Sequence, residues 1–501
     1  MELAFTPKPM DSLKQVLREY VCREETADTI VPDSFPDVAR ILGANAVAVM
    51  RSKESRSGSV SISGGIRCHV MYVAEGETAP RCLEVYLPYT LQVDNPALTE
   101  QTQIQVRCHV KSADARMVNS RKIAVRVNVC CLICGYEPTQ ITIFDHEALP
   151  DQLQIHQVDY AFLQPVECSE RSFQVMEEIS LPANRPLCGV VYRYEPTVEV
   201  LEKRIAGNKA VFKGVVRLDI LYATENGALS THLAEIPFSQ YCDLQDLYDE
   251  EEMKLLMEIT GCDLERATLQ DGEGLQLTLH LLAQCLISRK IPMTFCEDAY
   301  ALNGELLPQW QEYQFLNRLD HDVISRTLRE SKELPATDVV DVQMQLDMPR
   351  VNRKGDKAEI AVPICLHALY YDDQGQLQSV NHRTEVREEL SLAEDAHCFV
   401  TALAGGAPTV LPTGNSLEFR CPILLDVECM AKEDYRSLCG GEIRQIEQKK
   451  AEKPAVVIRR TQGGERLWDI AKTHNSTVER IRRANHLESE QTENGILLIP
   501  T

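Results

Sequence analysis

The sequence predicts a mainly β protein, built from three repeated β-rich, sandwich-like domains in tandem and a small β-α-α-β domain at the C-terminus. Two strand patterns recur three times in the same order along the 501 residues. Residues 456–501 follow a separate pattern that includes helices. A chain of this length is also too long for one hydrophobic core, so several domains are expected.

The first recurring pattern is a strand that alternates apolar and other residues and ends in an apolar residue followed by tyrosine. Its copies are Ile66–Tyr72, Val216–Tyr222 and Ile364–Tyr370, and each precedes a turn rich in acidic residues or glycine. Alternation with a period of two places one face of a strand in a core and the other toward water. Each copy therefore predicts a half-buried strand.

The second recurring pattern is another alternating strand, which follows the first by roughly 55 residues. Its copies are Ile123–Val129, Leu275–Leu281 and Leu417–Ile423. Two patterns in a fixed order indicate internal repeats. We therefore predict three homologous β-rich domains, at residues 24–145, 185–295 and 325–435.

The segments outside these repeats predict other structures. Residues 1–23 are predicted to be helical, because Leu13, Leu17 and Tyr20 recur with helical spacing after a plausible polar N-cap. Residues 436–455 predict a flexible linker, since they combine a pair of glycines with many charged and few large apolar residues.

The composition excludes several classes of protein. Lys and Arg number 52 against 75 Asp and Glu, and the formal net charge of −23 argues against a general nucleic-acid-binding protein. The apolar runs are too short for a transmembrane segment. The N-terminus lacks the pattern of a secretory signal. The 18 cysteines are therefore expected to be reduced and to serve mostly as small apolar core residues.

The C-terminal segment predicts the order β-α-α-β. Val456–Ile458 is a short strand, and Gly464–Ala471 is a turn that enters a helix. A second helix is predicted from Ser476, with Glu479 three residues later completing a capping box. Leu497–Pro500 is the final strand.

This segment resembles a LysM domain. The family's opening strand, its Gly-Asp-Thr-Leu-Trp-x-Ile-Ala turn, its Ala-Asn helix end and its terminal Leu-x-Ile-Pro are matched by Val456–Ile458, Gly464–Ala471, Ala484-Asn485 and Leu497–Pro500. The resemblance implies a shallow groove that recognises glycans containing N-acetylglucosamine, such as peptidoglycan. Carried over by position, the groove residues are Gly464, Glu465, Arg466, Leu467, Glu493, Asn494 and Gly495.

The implied groove departs from the family at three positions. Glu465 stands for the usual Asp, Arg466 for the usual small hydroxyl residue, and Asn494 for the usual Gly. A bulky cation at Arg466 weakens the interpretation as a glycan site.

The last domain also differs from the rest of the chain in charge. Residues 456–501 have seven Lys and Arg against six Asp and Glu, so they carry about +1 and the remaining residues about −24. Arg480, Arg482 and Arg483 cluster on the second predicted helix, a pattern that fits docking to an acidic protein partner. A solvated helix face without a partner is an equally good interpretation.

Three β-rich repeats, a linker and a terminal LysM domain together resemble the SPOCS-domain proteins of endospore-forming bacteria, of the SipL type. The resemblance rests on Val31-Pro32, Phe35–Val38, the three strand–tyrosine patterns and Gly464–Ala471. It implies a non-enzymatic adaptor or scaffold of spore coat assembly in the mother-cell cytoplasm, at the forespore surface. Its LysM domain would dock to the SpoIVA-like coat basement ATPase, beside other coat proteins. The alternative is a protein that binds peptidoglycan or cortex through the LysM domain.

No catalytic or cofactor-binding motif accompanies these features. Cys131–Cys134 is a CxxC motif, but it continues a strand pattern and lacks the second ligand pair of a zinc site. Cys68-His69 and Cys108-His109 would form a metal site only if both histidines shared one sheet face, whereas alternation sends each Cys inward and each His toward water. The chain has no phosphate loop, nucleophile elbow or metalloprotease helix. An enzyme is therefore the least favoured class.

Overall fold

The structure is a computed structural model that describes residues 1–146, 149–224, 227–249, 251–269, 272–302, 304–445, 455–487, 489, 492 and 494–501. Antiparallel strands account for most of these residues, which confirms the mainly β prediction. No helix in the described ranges has the length and apolarity needed to cross a membrane.

The N-terminal part of the chain forms a six-stranded sandwich, preceded by the short strand β1 (Glu2–Ala4). Its strands are β2 (Thr6–Ile30), β3 (Val38–Arg56), β4 (Ser59–Ala74), β5 (Pro80–Asp94), β6 (Gln103–Asn119) and β7 (Lys122–Asp145). The antiparallel sheets β3-β4-β5 and β2-β7-β6 enclose one hydrophobic core. Its most deeply buried side chains come from the central strands β4 and β7.

The second sandwich has the same plan. Its strands are β8 (Leu153–Ile179), β9 (Leu187–Thr224), β10 (Leu229–Tyr248), β11 (Glu252–Leu269) and β12 (Gly272–Ala301), arranged as β11-β12-β8 and β9-β10. Strand β9 turns back on itself at Gly207, whose φ of 63° suits glycine. The ion pairs Arg217–Glu199 and Lys213–Glu202 join its two arms at 2.5 and 3.1 Å. Strand β9 therefore supplies two neighbouring strands.

The third sandwich repeats the plan with two divided strands. Its elements are β13 (Gly304–Glu333), β14 (Ala336–Leu346), β15 (Arg350–Lys354), β16 (Lys357–Asp372), β17 (Leu377–Ser391), β18 (Ala396–Ala404), β19 (Thr409–Thr413) and β20 (Ser416–Gln445). Strands β14 and β15 share one edge of β16, with β17 on the other. Strands β18 and β19 share one edge of β20, with β13 on the other.

The two recurring sequence patterns occupy the central strands of the two sheets in every sandwich. The first lies in β4, the second arm of β9 and β16, and the second lies in β7, β12 and β20. Tyr72, Tyr222 and Tyr370, which end the first pattern, are all buried. The patterns are regular because a central strand is covered by the opposite sheet along much of its length.

The first and last strands of each sandwich continue beyond it as two-stranded ribbons, and the three ribbons together are named the stem. The ribbons end at the pairs Thr6–Asp145, Leu153–Ala301 and Gly304–Gln445. Aromatic rings fill the space between them, with the centroids of Phe162 and Phe315 4.1 Å apart. The stem is thus a packed structure with its own hydrophobic core.

The helix predicted over residues 1–23 is wrong, because strand β2 begins at Thr6. Leu13 and Leu17 are both buried against the stem and the first sandwich. Their separation of four positions suits a strand of period two as well as a helix. A bulge between Gln15 and Leu17 further disturbs the alternation.

The predicted domain boundaries are too narrow, because each sandwich starts with a long strand that lacks a clear alternating pattern. The second sandwich begins at Leu153 rather than at residue 185, and the third begins at Gly304 rather than at residue 325. In the first sandwich, most of strand β2 lies before residue 24, the predicted start of the domain. In the stem these strands are exposed on more than one side, and this exposure weakens their alternation of apolar and polar residues.

The linker predicted over residues 436–455 is wrong in its first half, where β20 continues to Gln445. A Cβ atom at Gly441 would lie 2.5 Å from the Leu307 carbonyl oxygen, and one at Gly440 would lie 3.3 Å from that of Leu3. The glycines therefore allow β1, β20 and β13 to pack closely, rather than providing flexibility. Residues 446–454 lie outside the described residues.

The three sandwiches meet at a buried polar cluster, named the junction. Its members are Asn45 and Gln343, which lie opposite His69 and His367 on the neighbouring strands, together with Arg193 and Asp219 of the second sandwich. Arg193 is only 3% exposed. Its guanidinium lies 2.6 Å from Asp341 and 3.0 Å from Asp219. A cation from the second sandwich is thus neutralised partly by the third.

The junction corrects the prediction that His69 faces water. The side chains of His69 and Cys68 lie on opposite faces of strand β4. The second sandwich covers the face of His69, and the Tyr194 ring is 5.1 Å from the His69 ring. Burial lowers the pKa of His69 to about 4, and the nearby charges of Arg67 and Arg193 add to the effect. His69 is therefore neutral near pH 7.

Four cysteines of the first sandwich form disulfides, so the expectation of reduced thiols is wrong for them. The pairs are Cys22–Cys130 and Cys108–Cys131. Each joins residues directly opposite one another on paired strands. Cys134, the second cysteine of the CxxC motif, is a buried free thiol within β7, as the strand interpretation predicted. The other free cysteines described are buried or half-buried.

Candidate functional site

The C-terminal module, residues 455–501, has the predicted order β-α-α-β. Its elements are β21 (Val456–Thr461), α1 (Leu467–Thr473), α2 (Val478–Asn485) and β22 (Gly495–Pro500). Leu467, Ile470 and Ile481 are buried where the helices pack on the two-stranded sheet. Helix α2 is capped one residue later than predicted, because the Thr477 hydroxyl oxygen accepts a hydrogen bond from the Arg480 backbone at 3.1 Å. Its predicted cap, Ser476, donates instead to the Pro500 carbonyl.

The two loops of the implied glycan groove are bonded to each other. The Gly464 backbone N–H donates to the Thr492 carbonyl at 2.9 Å, and the Thr492 N–H donates to the Glu465 carbonyl at the same distance. The Gly463 N–H also donates to the Asn494 side chain at 2.7 Å. Backbone groups that would otherwise be available to a sugar are therefore already paired.

The side chains of the implied groove have different surroundings. Leu467 is buried in the module core, and Glu465 forms an ion pair with Arg459 at 3.2 Å. Arg466, Asn494 and Gly495 are exposed. Glu493 lies outside the described residues.

Arg466 faces a cleft between the module and the stem, with a volume of about 910 Å³. Trp468 and Asp469 belong to the same wall, and Tyr160 and Tyr435 line the stem side. The resemblance does not include this cleft, because the stem residues come from distant parts of the chain.

The three arginines of the predicted basic face are not equivalent. Arg480 and Arg483 are exposed on one side of α2, and Arg483 pairs with Glu479 at 3.6 Å. Arg482 is half-buried, and its Nε donates to the Leu487 carbonyl at 3.5 Å. The structure therefore brings together Arg480 and Arg483 and separates Arg482 from them.

An apolar surface on the module, named the outer sheet face, was missed in the sequence analysis. It consists of Val456 and Ile458 of β21 with Ile496 and Leu498 of β22, which are 48%, 69%, 72% and 39% exposed. Ile458 lies directly opposite Leu498 in the sheet. A usable signal is present in the sequence: Val456–Ile458 and Ile496–Ile499 are unbroken apolar runs, although only one face of each strand can pack on the helices.

The module rests on the end of the stem through Asp298. The Asp298 carboxylate accepts from Trp468 Nε1 at 2.8 Å and pairs with Lys472 Nζ at 2.6 Å. Burial alone would raise the pKa of Asp298, but the hydrogen bonds from Lys472 and Trp468 outweigh it and lower the pKa. Beside it, the Tyr300 hydroxyl donates to the Ser476 carbonyl at 2.8 Å. These contacts fix the position of the module on the stem.

Replacing Asp298 by alanine should release the module from the stem. The substitution removes two charge-assisted contacts, at a cost of about 2 kcal/mol. We expect the fluorescence of Trp468 to shift to longer wavelength in a Trp310→Phe background, because its indole becomes solvated. Asp373→Ala, at an exposed turn of the third sandwich, is the control. An unchanged spectrum would show that Asp298 does not hold the module.

No group of three or more His, Cys, Asp and Glu side chains within the described ranges is arranged to hold a metal ion. The two Cys-His pairs have other surroundings. Cys68 lies in the core of the first sandwich and His69 at the junction. Cys108 is in a disulfide, while the ring of His109 contacts the Tyr20 hydroxyl at 3.1 Å.

Comparison with known proteins identifies one part of the chain. Residues 189–266 match the family model described as the SipL, SPOCS domain, and this range covers nearly all of β9, β10 and most of β11. No curated protein and no solved structure matches the chain. The match indicates a sporulation-related protein. The chain therefore contains a SPOCS domain of the SipL type, located in its second sandwich.

Proposed function

We propose that the protein is a non-enzymatic adaptor in spore coat assembly and that its C-terminal module docks to a partner protein through the outer sheet face. The exposure of Val456, Ile458, Ile496 and Leu498 on one side of a sheet is the observation that carries this proposal. Contiguous exposed apolar side chains mark interaction sites. The SPOCS match supplies the sporulation context.

The chemistry of the partner follows from the neighbours of this surface. Arg460 is exposed and lies opposite Ile496, on the same side of the sheet as Ile458. A matching partner surface would have an apolar centre and a carboxylate at its rim. The resemblance to SipL-type proteins makes the SpoIVA-like coat basement ATPase the first candidate, with other coat proteins next, at the forespore surface in the mother-cell cytoplasm.

Glycan binding through a LysM groove is the less favoured function. The loops that would form the groove are bridged by the hydrogen bonds of Gly464 and Thr492. Leu467 is buried, and Arg466 places a cation at the site. A glycan would have to compete with bonds that the module already makes.

Replacing Ile458 by aspartate should weaken partner binding by roughly 30-fold, the effect of losing a central apolar anchor. The measurement is the affinity of the full chain for the purified basement ATPase, by biolayer interferometry. Leu247→Asp is the matched control, because Leu247 is 76% exposed and lies in the second sandwich. It should leave the affinity unchanged.

Two results would contradict the proposal. Equal binding by the Ile458→Asp variant and the wild type would exclude the outer sheet face as the docking surface. The glycan function would be favoured instead if the full chain sediments with purified peptidoglycan, and if Arg466→Ala abolishes this sedimentation while Ile458→Asp does not.

A further inference from the structure

Cys398 and Cys429 form an unbonded pair in the third sandwich. They lie directly opposite each other on strands β18 and β20. Because the two residues are directly opposite on paired strands, their side chains lie on the same face of the sheet. Both side chains are half-buried and lie beside Ala358, Leu392 and Ala396 at the edge of the core.

The first sandwich has a bonded pair in a comparable place. Cys108 and Cys131 lie opposite each other on β6 and β7. In sheet order, β18 and β20 stand where β6 and β7 stand, and β7 and β20 each pair with the first long strand of their sandwich. A disulfide between opposite residues of these strands is thus already accommodated by this fold.

We propose that Cys398 and Cys429 are an oxidation site, which a disulfide oxidant such as oxidised glutathione converts into a further cross-strand disulfide. The thiolate of one cysteine attacks one glutathione sulfur, which breaks the glutathione disulfide and releases one glutathione thiolate. The other cysteine, once deprotonated, then attacks the sulfur of the first, forms the Cys398–Cys429 bond and releases the second glutathione thiolate. The two thiol protons pass to the two leaving thiolates, so two reduced glutathione molecules are produced.

Either cysteine can make the first attack. Burial raises the pKa of Cys429, and it is the largest cause that raises the pKa of Cys398 to about 12. Both thiols are therefore mostly protonated near pH 7, and the oxidation should become faster as the pH rises.

A second close pair in the chain provides an internal control. Cys242 and Cys285 lie together in the core of the second sandwich and interact with each other. Both are fully buried, in contrast to Cys398 and Cys429. The cysteines lie close together in both pairs, but the half-buried pair is more accessible to an oxidant than the fully buried pair. Selective oxidation of the half-buried pair is the expected consequence.

The test treats the folded full-length protein with oxidised glutathione, blocks remaining thiols with N-ethylmaleimide and maps the peptides by mass spectrometry without reduction. We expect a linked peptide pair that contains Cys398 and Cys429, while Cys242 and Cys285 are recovered as thiols after unfolding. Failure of the 398–429 link to form, or oxidation of the buried pair at the same rate, would overturn the proposal.

Single substitutions test the two steps separately. Cys398→Ser and Cys429→Ser should each leave the remaining cysteine as a mixed disulfide with glutathione, because no second thiol is present to release it. Cys421→Ser, at a fully buried position of the same strand, should not affect the reaction. Absence of glutathione from the remaining cysteine in both variants would show that the oxidant reaches neither thiol, and would overturn the proposal. The wild-type peptide map stands even if a variant does not fold.

Discussion

Replacing Arg193 by methionine should lower the free energy of unfolding by about 3–5 kcal/mol, the cost of breaking a buried ion pair by removing one partner. Arg193 is almost completely buried, and the side chain of Asp341 is only 4% exposed. Methionine fills much of the same volume, but leaves the carboxylates of Asp341 and Asp219 without their cation. The sandwiches would separate or take up water at the junction.

Urea unfolding followed by circular dichroism measures this effect. The double variant Arg193→Met with Asp341→Leu should recover part of the loss, because it no longer leaves Asp341 buried and unpaired. Arg217→Met is the control, since Arg217 pairs with Glu199 and Glu235 at a more exposed position and should cost no more than about 1 kcal/mol. Similar losses at Arg193 and Arg217 would show that the junction does not stabilise the fold.

Acidification should destabilise the protein through His69. Its pKa is about 4 in the folded protein and about 6.5 when unfolded. Below pH 6.5 the unfolded chain therefore binds a proton that the folded protein rejects. Stability is lost as the pH falls from about 6.5 to about 4, by up to about 3 kcal/mol for this residue. Arg67 and Arg193 oppose protonation, and Glu84, 4.0 Å from the ring, is exposed and compensates little.

The measurement compares the unfolding free energies of the wild type and His69→Gln at pH 7 and pH 4.5. The variant should lose less stability between these two values, because it lacks the rejected proton. His397→Gln, at an exposed position, should behave like the wild type. An equal pH dependence in all three proteins would exclude His69 as a source of acid sensitivity.

The strands that could be predicted from the sequence are those paired with another strand along both edges and buried on one face. The alternation of Ile66–Tyr72 and of Ile123–Val129 survives because each is the middle strand of a sheet. Strand β2 was predicted to be helical because the separation of four positions between Leu13 and Leu17 fits the period of a helix as well as that of a strand. The Gly440-Gly441 pair was misread because the strands that approach it, β1 and β13, come from distant parts of the chain. Contacts of such long sequence separation leave no local pattern.

Less of the candidate site could be predicted. The β-α-α-β order follows from local periodicity and capping, whereas the outer sheet face depends on which side of β21 meets the helices. Asp298 lies in the second sandwich's last strand, and nothing near it in sequence indicates contact with Trp468. The burial of His69 could not be predicted for the same reason. Its face of strand β4 would be exposed to water in an isolated sandwich, and it becomes internal when the three sandwiches assemble.

The stem also determines how the chain would bear mechanical force. The module follows β20, whose 30 residues run from the stem end into the third sandwich. Along this length β20 is hydrogen-bonded to β13, from Gly304–Gln445 to Glu333–Ser416. Tension between a docked module and the sandwiches would act along the strand and load many hydrogen bonds simultaneously in shear. Such a load would therefore act along the strands of the sheet rather than peel them apart.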